Sequence, residues 1–327
     1  MQTKEKLIEL LEEADGEFLS GAVIAERLHM TRAGVWKHIK SLESEGYRIE
    51  GIHRRGYRLL PECDMVNAPA LRRALNGDVR FHCEVYDTVG STNRLLKEKA
   101  AEESEWTVIL AGAQSAGRGR LGRSFYSPKG SGIYFSVLLR PQMSAEQASR
   151  LTTLAALAVC HAIEDCTGQK AQIKWVNDVY LHGRKVCGIL TEASVNMEQG
   201  QPEWAVVGVG LNVYEPDGGF PEELRGIAGA ISEERKRNLR VSLAAAFLRH
   251  FRRLYEEFPN GSYAEEYRAW NLVPGKSVTV HRGDTQREAL ALSIDDECRL
   301  VVRYEDGTEE ALSSGEISIR PTEGEWE

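Results

Sequence analysis

The stretch "AGRGRLGRSFYSP", residues 116–128, decides between folds. It packs three glycines and three arginines between Gly117 and Arg123, and it fits the letter pattern G-x-G-x-x-G. A dinucleotide fold requires those glycines to follow a strand, open a helix and precede an acidic residue by about 20 positions. A strand-like run, "WTVILAGAQ" (106–114), does precede them. After them comes "RSFYSPKGSGIYFSVLLR", a loop into another strand; position 142 is Gln, and the nearest acid beyond it is Glu146. The dinucleotide reading fails for lack of a helix. A nucleic-acid patch has the arginines but only one short basic loop in an acidic block. An exposed loop with no role has no need of three arginines and carries the ordering cost of glycine. The remaining reading is a loop that orders over an anionic ligand, with backbone N–H groups and guanidinium forks turned to phosphate or carboxylate.

Around this loop the chain divides into three blocks. In the first, "KEKLIELLEEA" (4–14), "GAVIAERL" (21–28) and "TRAGVWKHIKSLESEGY" (31–47) read as helices. Thr31 caps the third, and Val35, Ile39 and Leu42 repeat at i, i+4, i+7. "YRIEGIHRRGYRLL" (47–60) reads as two strands around "HRRG". Three helices and a basic hairpin outline a winged helix-turn-helix over residues 1–62. Charge agrees: residues 1–26 carry two Lys/Arg and seven Asp/Glu, whereas residues 27–58 carry eight and three. A local basic face binds phosphate even though the chain's net charge is −8. Outward positions on the third helix are Arg32, Lys37 and Lys40, with His53, Arg54, Arg55 and Arg58 on the wing. "PECDMVNAPA" (61–70) reads as a linker.

The second block, 68–270, alternates strands and helices. "SGIYFSVLLR" (131–140) reads as a strand. Residues 144–168 read as one helix, opened by a Ser144/Gln147 capping box and ended by Gly168. "AQIKWVNDVYLHGRKVCGILTEASV" reads as strand, turn, strand, turn, strand, and "VSLAAAFLRHFRRLYEEF" (241–258) as a long amphipathic helix. The third block, 272–322, holds only short strands with a hairpin signal at Asp306-Gly307, the outline of a small SH3-like β-barrel. The fold class is thus α+β and multidomain, with a mixed α/β core between the winged helix and the barrel. Six scattered cysteines form no C-x-x-C pair, so neither a metal site nor a disulfide framework is expected. The charged N-terminus and the absence of a long apolar run point to a cytoplasmic chain without membrane contact.

"GRGRLGRSFYSP", with "DTVGSTN" (87–93), "KWVNDVY" (174–180) and "KVCGIL" (185–190), resembles the biotin–protein ligase family, and with the winged helix in front it resembles the kind that is also a biotin operon repressor. The resemblance implies ATP-dependent formation of biotinyl-5′-AMP, with Mg2+ accompanying the ATP phosphates. Transfer to a lysine of a biotin carboxyl carrier protein would come next. It places Ser91, Thr92, Asn93 and Gln114 on biotin. Arg118, Gly119 and Arg120 would close over biotin and phosphate, with Arg123 toward the leaving pyrophosphate. Lys185 and Gly188 would lie beside the biotin carboxylate, Lys185 and Arg118 acting in catalysis. Asn177, Asp178 and Asn212 fall on the nucleotide side, Asn212 opening a loop over the adenylate. A homodimer on operator DNA is expected when the adenylate is bound, and an edge strand of the core such as 185–194 is the expected place for its symmetry mate to pair. Two positions depart from the family pattern: Phe125 stands where Trp is common, and Val176 where Pro is. Weighed beside this reading are a biotin-sensing regulator without transfer, a ligase for another acyl cofactor such as lipoate, and a winged helix that is only an appendage. The intact arginine loop and Lys185 speak against the first, the same loop against the second, and the basic 27–58 segment against the third.

Overall fold

The computed structural model describes residues 2–148, 150–196, 201–258, 263–282, 285–313 and 316–319. Its N-terminal unit consists of helices α1 (Gln2–Glu13), α2 (Gly21–Arg27) and α3 (Arg32–Ser44) and strands β1 (Ile49–Ile52) and β2 (Gly56–Leu59). Thr31 caps α3, its Oγ1 accepting from Gly34 N at 3.1 Å. Val35, Ile39 and Leu42 are buried with Leu7, Leu11 and Ile24, so the i, i+4, i+7 stripe is the inner face of α3. Strands β1 and β2 pair antiparallel, Ile49 opposite Leu59 and Ile52 opposite Gly56. Gly56 has φ 112°, and a Cβ on it would lie 1.9 Å from Leu19 O. The wing turn therefore requires glycine at this position.

The expected linker at 61–70 is instead a packed joint. Cys63 and Asp64 are buried. Asn67 caps helix α4 (Ala68–Ala74) by accepting from Ala70 N at 2.8 Å. Asp64 meets Arg240 at 3.2 Å, 176 residues away, and both side chains are almost wholly buried. Local composition marks a connector; the distant arginine that makes it structural is invisible locally.

The core sheet has seven strands in the order β3-β4-β5-β9-β8-β7-β6. These are β3 (His82–Tyr86), β4 (Thr107–Ala111), β5 (Gly132–Leu139), β6 (Gln172–Lys174), β7 (Asp178–Leu181), β8 (Arg184–Asn196) and β9 (Gln201–Asn212). Only β3 and β4 pair in parallel, joined through helix α5 (Thr92–Lys99), and the other ladders are antiparallel. One face of the sheet is covered by α7 (Leu151–Thr167) and α8 (Leu239–Glu257), with Phe135 of β5 against Phe247 of α8 at 5.1 Å. On the other face Leu96 and Ala100 at the end of α5 pack with Ile109, Leu138 and Val206. Apolar runs such as "IYFSVLL" are buried on both sides for this reason.

Two expectations are corrected here. Residues 144–168 are not one helix but a one-turn α6 (Ala145–Ala148) and then α7. The Ser144/Gln147 capping box does form, at 3.0 and 3.2 Å. Arg150 N then bonds Gln147 O, an i→i−3 contact that tightens the turn in place of the α-helical ladder. Gly168, at φ 72°, ends α7 as expected. The 185–194 segment is also not an edge throughout. β7 pairs with residues 184–188, and Ile189 N bonds Asn177 O, so the open edge begins at Leu190.

After α9 (Tyr263–Ala269), strands β10 (Ser277–Arg282), β11 (Thr285–Ile294), β12 (Leu300–Tyr304), β13 (Glu309–Leu312) and β14 (Glu316–Ile319) form an antiparallel sheet ordered β13-β12-β11-β10-β14. No β13–β14 ladder closes it among the described residues. Asp306-Gly307 makes the β12–β13 turn, with Gly307 at φ 83°. Trp175 Nε1 donates to Cys298 O at 2.9 Å and seats this sheet against the core.

Candidate active site and nucleic-acid face

A cleft of about 270 Å³ opens where β7, β8 and β9 meet the N-terminus of α5 and the 117–125 segment. That segment is a short hairpin rather than an unordered loop. Gly119 N bonds Arg123 O at 2.7 Å and Phe125 N bonds Gly117 O at 2.9 Å. Its tip carries Leu121 at φ 53° and 76% exposed. The structure brings Ser91, Thr92, Asn93, Gln114, Arg118, Gly119, Arg120, Arg123, Asn177, Asp178, Lys185 and Gly188 together around this one cleft. They come from five separate stretches of chain. Asn212 lies behind the wall: its Nδ2 approaches Lys185 O at 3.5 Å.

The polar wall is built from short bonds. Gln114 Oε1 accepts from Thr92 N at 2.8 Å, and Gln114 Nε2 donates to Ser127 Oγ at 3.1 Å. Ser91 caps α5, with Oγ 3.5 Å from Arg94 N. The amide of Asn93 is engaged by the protein itself. Nδ2 donates to Leu190 O at 3.1 Å and to Glu192 Oε2 at 3.0 Å, while Oδ1 lies 2.6 Å from Ser136 Oγ. Across the cleft Arg120 Nη1 donates to Asn177 Oδ1 at 2.8 Å, and Lys185 Nζ pairs with Asp178 Oδ1 at 2.7 Å. Burial and the neighbouring Asp178 charge push the Tyr180 hydroxyl up to about 12, so it stays a neutral donor. Arg118, Arg120, Arg123, Lys174 and Lys185 all line the cleft, whereas Asp178 is the only carboxylate among the described residues that does. Such a wall favours an anionic ligand.

The apolar floor is formed around Phe125. Its ring lies over Gly188 of β8 and Gly210 of β9, which are register partners. A Cβ on Gly210 would be 2.6 Å from Phe125 Cε1, and one on Gly188 would be 3.0 Å from Cε2. Tyr134 meets the ring edge-on at 6.3 Å. Gly208 plays the same part for Asn93, since a Cβ there would fall 1.9 Å from Oδ1. Neither Gly208 nor Gly210 was picked out from sequence, although the alternation in "VVGVGLN" puts both on one face of a strand. Lys174 and Tyr180, the two ends of "KWVNDVY", line the cleft although neither was assigned a role from sequence, and Ile227 and Ile317 line it from stretches outside every motif. Ile317 comes from β14, about 100 residues beyond β9. Nothing local could have signalled it. The Trp175–Val176 peptide beside the cleft is cis.

Loop 213–238 borders the same cleft. Lys185 N bonds Ile227 O at 2.8 Å and Gly229 N bonds Lys185 O at 2.9 Å, so the loop lies along the start of β8.

On the N-terminal unit Arg32, Lys37 and Lys40 of α3 are exposed opposite the buried stripe. Lys40 pairs with Glu43 at 2.6 Å. Trp36, unremarked in the sequence, stands among them 56% exposed. His53, Arg54 and Arg55 are exposed at the wing tip. Arg58 is drawn inward: it pairs with Glu50 at 2.7 Å, and its guanidinium lies 4.6 Å from the Phe18 ring centre. All six cysteines are free thiols, and burial raises Cys63, Cys83 and Cys166 to about 11. No described helix is long and apolar enough to cross a membrane.

Comparison with known proteins agrees with this division. The biotin/lipoate A/B protein ligase family matches residues 85–212, an HTH domain matches 3–58, and the biotin protein ligase C terminal domain matches 274–320. The chain is 33% identical over 317 residues to the bifunctional ligase/repressor BirA of Bacillus spizizenii, spanning 95% of this chain and 97% of that one. It is 30% identical to the protein of the same name from Escherichia coli, over 97% of both chains. Among solved structures, the biotin protein ligase from Aquifex aeolicus in complex with biotin and ATP superposes with TM-score 0.61 at 28% identity, covering 74% of this chain and 99% of that one. A winged helix, a cationic cleft in a mixed sheet and a small C-terminal sheet, matched over nearly the whole chain, place this protein in the family of bifunctional biotin protein ligase–repressors.

Proposed function

We propose that the cleft joins biotin to ATP and then delivers the biotinyl group to a carrier lysine, in three units spanning residues 1–62, 68–270 and 272–322. The observation that carries this is the wall of five cations and, among the described residues, one carboxylate over a floor of Phe125 and glycines. A bicyclic apolar acid and a polyphosphate need such a wall and floor together.

In the first step a biotin carboxylate oxygen attacks the α-phosphorus of ATP. The α–β P–O bond breaks, and pyrophosphate leaves with the electron pair. Two anions must meet, so cations fixed beforehand lower the barrier, more so once water is excluded. Lys185, held at 2.7 Å by Asp178, is the point charge beside the forming anhydride. Arg118 and Arg120 lie over the bound acyl phosphate, Gly119 lets the hairpin backbone come close, and Arg123 faces the departing pyrophosphate. Ser91, Thr92 and Gln114 offer the polar contacts for the biotin head, and Gly188 leaves room for its tail. Asn93 orders this wall from behind, because its own amide is spent on Leu190, Glu192 and Ser136. Asn177 serves the nucleotide, and Asn212 supports the Lys185 backbone. Mg2+ fits as an ion carried by the phosphates, with Asp178 the lining carboxylate able to meet it; it would screen phosphate charge. In the second step the carrier lysine's neutral amine attacks the acyl carbon. The C–O bond to phosphate breaks, AMP leaves, and the amine sheds a proton.

Under the same proposal the adenylate-bound chain dimerises through the open edge of β8 beyond Ile189 and sets two winged helices on a two-fold operator. One winged helix buries only about 600–1,000 Å², so two are needed for tight binding. The unbiotinylated carrier, by consuming the adenylate, relieves repression in the cytoplasm. The test mixes the full chain with ATP and either biotin, lipoate or octanoate, identifies the acyl-adenylate by mass spectrometry, and tracks transfer to a purified carrier domain. Adenylate from biotin alone supports the reading; adenylate from lipoate alone overturns it.

A further inference from the structure

Glu192 lies on the part of β8 whose open backbone edge is proposed for dimerisation, but its side chain has no role in that reading or in the chemistry. It sits on β8 two and four residues beyond Leu190 and Gly188, which line the cleft, and so shares their face. Its carboxylate gathers groups from two other elements. Oε1 meets Lys97 Nζ of α5 at 2.7 Å and Arg118 Nη1 of the hairpin at 3.3 Å; Oε2 accepts from Asn93 Nδ2 at 3.0 Å. We propose that Glu192 is a positioning residue that ties the arginine hairpin to the wall of the cleft and thereby sets how long the adenylate stays bound. The inference rests on the reading of this cleft as the biotinyl-adenylate site.

Three observations separate this contact from an ordinary surface ion pair. First, Glu192 is only 20% exposed and is already fixed from below. Asn93 is locked by Leu190 O and Ser136, in a gap that exists because residue 208 is glycine. An exposed pair is weak in part because two loose side chains must be ordered; here Glu192 is already held, and Arg118, 48% exposed, is the partner that has to be ordered. Second, burial raises the Glu192 carboxyl, but hydrogen bonds from Lys97 and Asn93 and the charges of Lys97 and Arg118 outweigh it and hold the group below the usual range. It stays charged at neutral pH. Third, the contact uses one of the guanidinium's five N–H groups. Glu192 can therefore aim Arg118 without removing it from an anion in the cleft. The backbone of the hairpin is closed on itself from Gly117 to Phe125, so fixing Arg118 at its base fixes the direction of the whole unit.

The experiment uses the full chain with Glu192→Gln, Glu192→Asp and Lys97→Gln. Glu192→Gln keeps the volume and the Asn93 contact but removes the charge. Labelled biotin and ATP load the site; excess unlabelled biotin then reports release, single-turnover mixing reports adenylation, and thermal melting reports folding. The expected result is release about tenfold faster in Glu192→Gln, as for loss of one charge-assisted bond near 1.4 kcal/mol. Adenylation should slow by less than release quickens, Glu192→Asp should restore part of the retention, and Lys97→Gln should leave release unchanged. Wild-type release from Glu192→Gln overturns the inference, as does Lys97→Gln matching it. Wild-type protein that forms no adenylate overturns the site reading and this inference together.

Discussion

The hydroxyl of Tyr214 donates to Asp64 Oδ2 at 2.6 Å, joining a residue just beyond the end of β9 to the joint behind the winged helix. Arg240 reaches the same carboxylate from α8. Tyr214 is the second residue of loop 213–238, whose middle lies along Lys185 and whose end meets α1 and the turn after it: Arg237 pairs with Asp15, and Asn238 Nδ2 donates to Glu12 Oε2 at 2.6 Å. One loop therefore touches both Lys185 and the winged-helix unit.

Asp64→Ala should destabilise the chain by about 3–5 kcal/mol, because it leaves Arg240 buried with no counter-charge. Tyr214→Phe removes one neutral donor to a charged acceptor and should cost about 1.5–3 kcal/mol. Denaturant unfolding monitored by Trp fluorescence measures both. Equal, small losses for the two variants would contradict a buried ion pair at this joint.

Lys185→Ala should lower kcat/KM for adenylation by roughly a hundredfold or more while the melting temperature holds. Its side chain is 29% exposed, and its surroundings are backbone-paired, so folding has little to lose. Pyrophosphate release in a coupled assay gives the rate.

Stability should fall in mild acid through His161. Burial lowers its pKa below 6.5, partly offset by Glu266; His250 and Arg253 lower it further, and Asp165 raises it. The neutral form is the one the fold prefers. The unfolded chain therefore takes up the proton first, so stability is full above about 6.5 and declines as pH drops through that value. His161→Gln should flatten the change in melting temperature between neutral pH and mild acid. An unchanged slope would assign the effect elsewhere.

On the DNA face, Arg54→Ala or Lys37→Ala should weaken operator binding evenly across sequences and reduce the salt slope by about 1. Trp36→Ala should instead alter sequence preference, since an exposed indole on α3 is suited to a thymine methyl, at about 1–3 kcal/mol. Fluorescence anisotropy against operator and scrambled duplexes separates the two. Point variants are preferable to deleting residues 1–66, because deletion removes Asp64 from the buried Arg240.

Local patterns in the sequence were enough for much of this protein. The stripe Val35, Ile39, Leu42, the cap at Thr31, the Ser144/Gln147 box, the Gly168 stop and the Asp306-Gly307 turn each depend on neighbours within a few residues, and each appears as expected. The motif positions other than Asn212 also line one cleft, because they stand near strand ends and at the start of a helix. Tertiary structure decided the rest. Gly188 faces Gly210 only through the β8–β9 register, which opens the floor for the Phe125 ring. Asp64 finds Arg240 across 176 residues, turning an apparent linker into a joint. Ile317 reaches the cleft from a separate sheet, and Glu192 gains its contacts only when α5 and the hairpin close on β8. The physical reason is the same in each case. Propensity and capping are energies of adjacent residues, whereas burial, close approach and charge pairing belong to partners that only the folded chain brings together.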